Sequence, residues 1–181
     1  MGEDKYAGDY RVVKHIDPAT GKEERRLVYT GEYFSLNLAP KEKARRCLLL
    51  AGCAALGICG FLIAGLIQSA AARTLLVSMP HMFTMISLFF ILVSAVRILR
   101  LKERFTRKER DKALHRGRNA CRVQTLLSAV ALLGDLFLVV TGRGSEVEGL
   151  ALLGYALMLL AGALSLLVLR DVSAPMVDVG L

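Results

Sequence analysis

The chain has 181 residues, 54% of them hydrophobic, and carries 24 Lys and Arg against 16 Asp and Glu, for a net charge of +8. Soluble domains are about 45–50% apolar; here the excess is gathered into four runs of about 20 residues, the length that crosses ~30 Å of hydrocarbon as helix. The runs lack the polar residues at helical spacing that a water-facing side requires, which excludes an ordinary soluble domain.

The expected fold class is an all-α membrane protein. Four transmembrane helices form two hairpins, with a small cytoplasmic β-hairpin at the N-terminus. The parts are a polar head over 1–39, a first transmembrane hairpin over 40–99, a basic loop or helix over 100–122, a second transmembrane hairpin over 123–169 and a short tail over 170–181. The opening forty residues hold no apolar core, so no cleavable signal peptide is expected and the first span serves as its own insertion signal.

In the head, Tyr10 to Ile16 and Arg25 to Tyr29 read as two strands joined by turn chemistry at Asp17, Pro18 and Gly21. Tyr33, Phe34, Leu36 and Leu38 follow as a cluster suited to the headgroup zone. Pro40 suits the first turn of a helix, where its missing N–H costs nothing. Lys41, Lys43, Arg45 and Arg46 then precede span one, which runs from about Cys47 to Gln68. Cys53, Gly57, Gly60, Ala64 and Gln68 share one face of it; small residues there predict close packing of another helix, without naming which. Cys47, Cys53 and Cys59 recur every six residues, about 120° apart around the helix, so they cannot share a metal.

Span two covers about Thr74 to Leu99, with Pro80 and His81 in its first turns. Its helix is expected to continue through 100–114 and to break near Gly117 and Asn119. Eleven of the 24 Lys and Arg lie between Arg97 and Arg122. A basic loop between two apolar hairpins records the positive-inside bias, so both termini are expected in the cytoplasm. Arg100, Lys102, Arg104, Arg107, Lys108 and Arg110 are the candidates for contact with anionic headgroups; nucleic-acid binding is the weaker reading of the same charge. Span three covers about Val123 to Thr141 and span four about Gly149 to Leu169, where Gly154, Met158, Ala161 and Ser165 share a packing face. The tail after Arg170 is expected to be unstructured.

One polar constellation stands out. Asp135 lies deep in span three, where a carboxylate costs about 2.5–3.5 kcal/mol to insert. The topology sets His81, Asp135 and Tyr155 each ~10 Å below the outer surface, with Gln68 slightly higher. This layer reads either as a structural knot between helices or as a proton- or ligand-responsive site. The chain has no Walker loop, dinucleotide-binding glycines, HExxH or paired CxxC, and neither Cys59 nor Ser78 sits beside a base in any motif, so no cofactor, metal or enzymatic activity is expected. The favoured role is a non-enzymatic accessory or interaction subunit, with head and loop facing a protein partner, a second copy or anionic lipid. The rival is a small transporter or sensor that uses the His81–Asp135–Tyr155 layer.

Overall fold

The computed structural model describes residues 6–16, 23–67, 69, 71–144 and 147–177. Four helices, α1 (Pro40–Leu66), α2 (Leu75–Arg100), α3 (Arg107–Val140) and α4 (Glu148–Arg170), are long and apolar enough to cross a membrane. They pack side by side in a ring: α1 against α2 and α4, and α3 against the same two. The outward faces of all four are apolar, with Leu48, Leu66, Met82, Phe89, Leu133, Phe137, Leu150 and Leu167 among the exposed side chains. The inside holds two apolar clusters. One, around Leu50, Ile91, Ile98, Cys121 and Leu169, lies toward the end that carries the basic loop. The other, around Ala64, Val77, Ala131, Tyr155 and Met158, lies toward the far end.

The stripe on α1 meets α4. A Cβ added at Gly60 would stand 2.6 Å from the Gly154 carbonyl, and one added at Gly154 would stand 2.8 Å from both Ala64 N and Gly60 O. Backbone touches backbone here, so neither glycine can carry a side chain. Gly57 faces Leu88 of α2 and Ala161 of α4. Cys47 is buried, Cys53 half-buried and Cys59 exposed, as their angular spacing on the helix requires, and all are free thiols.

The head contains a hairpin of β1 (Tyr10–Ile16) and β2 (Glu23–Tyr29), antiparallel with Tyr10 opposite Tyr29 and Val12 opposite Leu27. The expected turn at 17–22 lies outside the described residues. An edge-to-face run of Tyr10, Tyr29 and Tyr33, with centroids 5.2 and 5.1 Å apart, holds the base of the hairpin. Tyr33 and Phe34 belong to a second sheet. They form β3, which pairs antiparallel with β4 (Phe105–Thr106) on one side and β5 (Met176–Val177) on the other. Phe34 is buried there, under the Arg110 guanidinium at 4.1 Å, rather than presented as an interfacial ring.

Two expectations fail at this end. The helix of span two does not run on through 100–114: α2 stops at Arg100, the chain turns over Leu101–Arg104, and α3 begins at Arg107. The new start is set by a capping box, in which the Thr106 side chain accepts from Glu109 N–H and the Glu109 carboxylate accepts from Thr106 N–H. Gly117 and Asn119 lie inside α3 instead of breaking it. Gly117 is there for contact, since an added Cβ would overlap the Ser94 hydroxyl of α2. The tail is the second correction. Val172 is buried, and Ser35 and Asn37 N–H groups donate to Pro175 and Ser173 carbonyls at 3.2 and 3.1 Å. The tail is therefore structured as far as Val177 by pairing with the head.

Candidate functional site

The basic end is fastened by cations on main-chain carbonyls. The last carbonyls of a helix have no partner within it, and a cation nearby can supply one. Lys43 donates to Leu101 O at 2.6 Å, just past the end of α2. Arg46 donates to Val168 O at 3.1 Å. Arg118 donates to Leu169 O at 3.1 Å and Val172 O at 2.6 Å, where α4 runs into the tail. Residues Asp111–His115 of α3 form a π-helical turn, which widens the helix and frees carbonyls. Side chains of α2 meet them: the Ser94 hydroxyl donates to Ala113 O and Arg97 to Lys112 O at 3.3 Å. Of the six predicted headgroup contacts, Arg100, Lys102, Arg104 and Arg107 are exposed, while Lys108 and Arg110 are half-buried. Arg110 is engaged with Asp111 at 3.3 Å as well as with Phe34. Tyr29 joins hairpin to loop: its hydroxyl donates to Glu32 O at 2.8 Å and accepts from Arg107 N–H at 3.2 Å. Burial raises the pKa of that phenol, and the bond from Arg107 works in the opposite direction. The carbonyl-clamping roles of Lys43, Arg46, Arg97 and Arg118 were missed in the sequence, which marks charge but not which helix end lies opposite.

The far end assembles the predicted layer only in part. His81 is buried, stacked flat on Phe61 at 4.3 Å between centroids and edge-on to Tyr155 at 5.6 Å. Asp135 is fully buried, but neither of its oxygens has a hydrogen-bond partner, and the Nδ1 of His81 has none either. The expected His81–Asp135 pair is thus absent among the described residues, and Tyr155 is the member that touches His81. Glu148, in the first turn of α4, is 2% exposed. It precedes the expected start of span four at Gly149, yet its place seven residues before Tyr155, two helical turns, puts it on the same face. Gln68 lies outside the described residues.

Further polar groups continue inward from this layer. Gln124 is fully buried and donates to the Ser128 hydroxyl at 3.2 Å, while its Oε1 has no partner. Thr84 donates to the His81 carbonyl at 2.5 Å, and Ser165 to Ala161 O at 2.8 Å. Among the described residues no cluster of His, Cys, Asp and Glu could hold a metal ion.

A crevice of about 360 Å³ opens beside His81, between α1 and α2, lined by Phe61, Leu62, Leu66, Ser78, Met82 and Tyr155 among others. A smaller cavity of about 280 Å³ lies at the basic end, between Arg110, His115 and Arg118 of α3 and the tail at Val172–Ala174.

These features define a class and no more: a protein of four closely packed apolar helices with a polar head fastened to one end. No family model, no curated protein and no solved structure matches the chain.

Proposed function

We propose that this chain is a multi-pass membrane protein with both termini in the cytoplasm, and that it acts as a non-enzymatic accessory subunit presenting its head to a protein partner. The observation that carries this reading is the joining of three distant segments at one end. Tyr33–Phe34, Phe105–Thr106 and Met176–Val177 pair in one small sheet, so head, loop and tail form a single platform. The β1–β2 hairpin stands on that platform with apolar side chains uncovered. Val12 and Leu27, directly opposite each other, are 62% and 71% exposed. A two-stranded hairpin is marginal alone in water, and uncovered apolar side chains in a polar head suit a surface that a partner covers. The cations at this end support the cytoplasmic orientation through the positive-inside bias.

The test is copurification from native membranes in mild detergent. A stoichiometric partner that is lost on Leu27→Asp, with the helices still folded, is the expected result. Recovery of the chain alone, or a partner indifferent to Val12→Asp and Leu27→Asp, would overturn the reading.

The second reading, a proton- or ligand-responsive membrane protein, is favoured by one observation: the unpartnered carboxylate of Asp135. Intramembrane carboxylates usually mark relays or substrate paths. Reconstituted vesicles decide it. A pH-dependent flux abolished by Asp135→Asn, with the fold intact, would replace the accessory reading with this one.

A further inference from the structure

Outside the head, the feature with the most definite chemistry is the crevice between α1 and α2. Its walls and mouth are apolar: Phe61 is half-buried, while Leu62 and Leu66 on α1 and Met82 on α2 are 50%, 80% and 68% exposed. Those side chains belong to the outward faces of the helices, so the crevice opens sideways, beside the Ala71–Arg73 turn that contributes Ala72 to its lining. Among the described residues, no charged side chain lines it. Its polar components are His81, the Tyr155 ring edge and Ser78.

His81 is held in one orientation, flat on Phe61 and edge-on to Tyr155. Its Nδ1 is sealed inside. Its Nε2 lies beside Gly65, where an added Cβ would stand 3.1 Å away. Gly65 is exposed, so the missing side chain leaves a window beside that nitrogen. An imidazole fixed by two aromatic rings, with one edge reachable through a glycine gap in an apolar wall, is built to take a single hydrogen bond from within a greasy slot. A charged head would have to be desolvated with no counter-charge in the crevice.

We propose that this crevice binds an uncharged amphiphile taken laterally from the membrane, its hydroxyl or carbonyl oxygen bonded to His81 and its hydrocarbon chain lying over Leu62, Leu66 and Met82. The inference rests on the membrane placement given above, but not on the accessory role. At about 360 Å³ the slot holds the head and first part of the chain, with the remainder left among the lipids.

The experiment uses the full chain reconstituted in phosphatidylcholine vesicles and a long-chain alcohol with a photoactivatable diazirine near its head. Resistance of the vesicle-bound protein to alkaline extraction is measured first; loss of the protein at that step would sink the membrane placement itself. With the protein retained, saturable labelling of peptides that contain Phe61–Leu66 and Ser78–Met82 is expected. Hexadecanol should compete about three- to tenfold better than hexadecanoate or a hexadecyl trimethylammonium ion, the value of one hydrogen bond at the head. Gly65→Leu fills the window and should abolish saturable labelling. His81→Phe keeps both ring contacts but lacks the nitrogen, so it should keep tail labelling and lose the preference for the alcohol. Labelling that is unsaturable and spread over the outward faces would overturn the proposal. So would a headgroup preference unchanged in His81→Phe, which also covers the case in which Gly65→Leu fails to fold.

Discussion

The two ends of the helix ring solve the burial of polar groups in opposite ways. At the basic end, Lys43, Arg46, Arg97 and Arg118 each reach a main-chain carbonyl near a helix end or the π-helical turn. Among the described residues, the unpartnered buried side-chain atoms on that side are Asp9 Oδ2 and, one turn of α3 beyond Cys121, Gln124 Oε1. At the far end, both Asp135 oxygens and His81 Nδ1 are buried without partners, and cohesion comes from apolar contact and from the approach of Gly60 to Gly154. Structural buried groups are normally satisfied. The basic end, where cations close main-chain carbonyls, therefore reads as architecture, and the far end, where a carboxylate and an imidazole nitrogen stand without partners, reads as the place for a ligand, a proton or a cation.

That contrast can be broken first where the far end is strongest. Gly154→Leu places a Cβ 2.8 Å from backbone atoms of Gly60 and Ala64, and backbone cannot step aside as a flexible side chain can. The expected loss is about 3 kcal/mol or more, read as a fall in the thermal midpoint in detergent. A tolerated Gly154→Leu would mean that α1 and α4 do not touch at this point, and the far end would need another source of cohesion.

The matching test at the basic end is Arg118→Ala. It removes the donor from two carbonyls, Leu169 O and Val172 O, and hydrogen bonds from charged groups contribute about 1.5–3 kcal/mol each at most. An overall loss of about 2 kcal/mol is expected, with faster amide hydrogen exchange at Met176 and Val177 as the tail leaves β3. Unchanged exchange would show that the small sheet holds the tail without the clamp.

How much of this was readable in advance divides along the same line. The four helices, the two strands of the hairpin and the small-residue stripe on α1 are written in composition and spacing, because burial in a helix or a strand repeats with a fixed period. The turn at Leu101–Arg104 was also written, as the Thr106–Glu109 capping box, but the run of cations around it suggested continuous i,i+4 pairing and drew the helix through it. Gly117 misled for a related reason: glycine ends helices and also lets them touch, and only the position of Ser94 decides between the two. The β4–β3–β5 sheet was out of reach, because each strand is two residues long and the central strand, Tyr33–Phe34, finds its partners far along the chain, at Phe105–Thr106 and at Met176–Val177. For the far-end layer, depth was legible and angle was not. Depth follows from counting along each span, which brought His81, Asp135 and Tyr155 to one level. Which of them touch depends on the rotation of each helix, and that turned His81 toward Tyr155 and Phe61 and left Asp135 without a bond to it.

The smallest expected effect has the opposite sign, and it tests the contrast most directly. If Asp135 is a structural knot, it needs partners, and its removal weakens the protein as the loss of Arg118 does. The carboxylate has no hydrogen-bond partner among the described residues, and it lies on α3 one turn beyond Ala131, which belongs to the apolar cluster with Ala151 and Tyr155. Burying a carboxylate without a partner costs desolvation, and even paired buried charges replaced by apolar side chains of similar size commonly leave stability unchanged or raise it by about 1–4 kcal/mol. Asp135→Leu is therefore expected to raise the thermal midpoint, at the low end of that range because Leu is bulkier than Asp and the surrounding contacts are close. Asp135→Asn, which removes charge while keeping shape and polarity, should change stability less than Asp135→Leu. A loss of more than about 2 kcal/mol for both would mean that the carboxylate is held by a group in the folded protein, and the far end would then be architecture as well. A gain for Asp135→Leu together with loss of any pH-dependent response in vesicles would make Asp135 a residue kept at a cost to the fold.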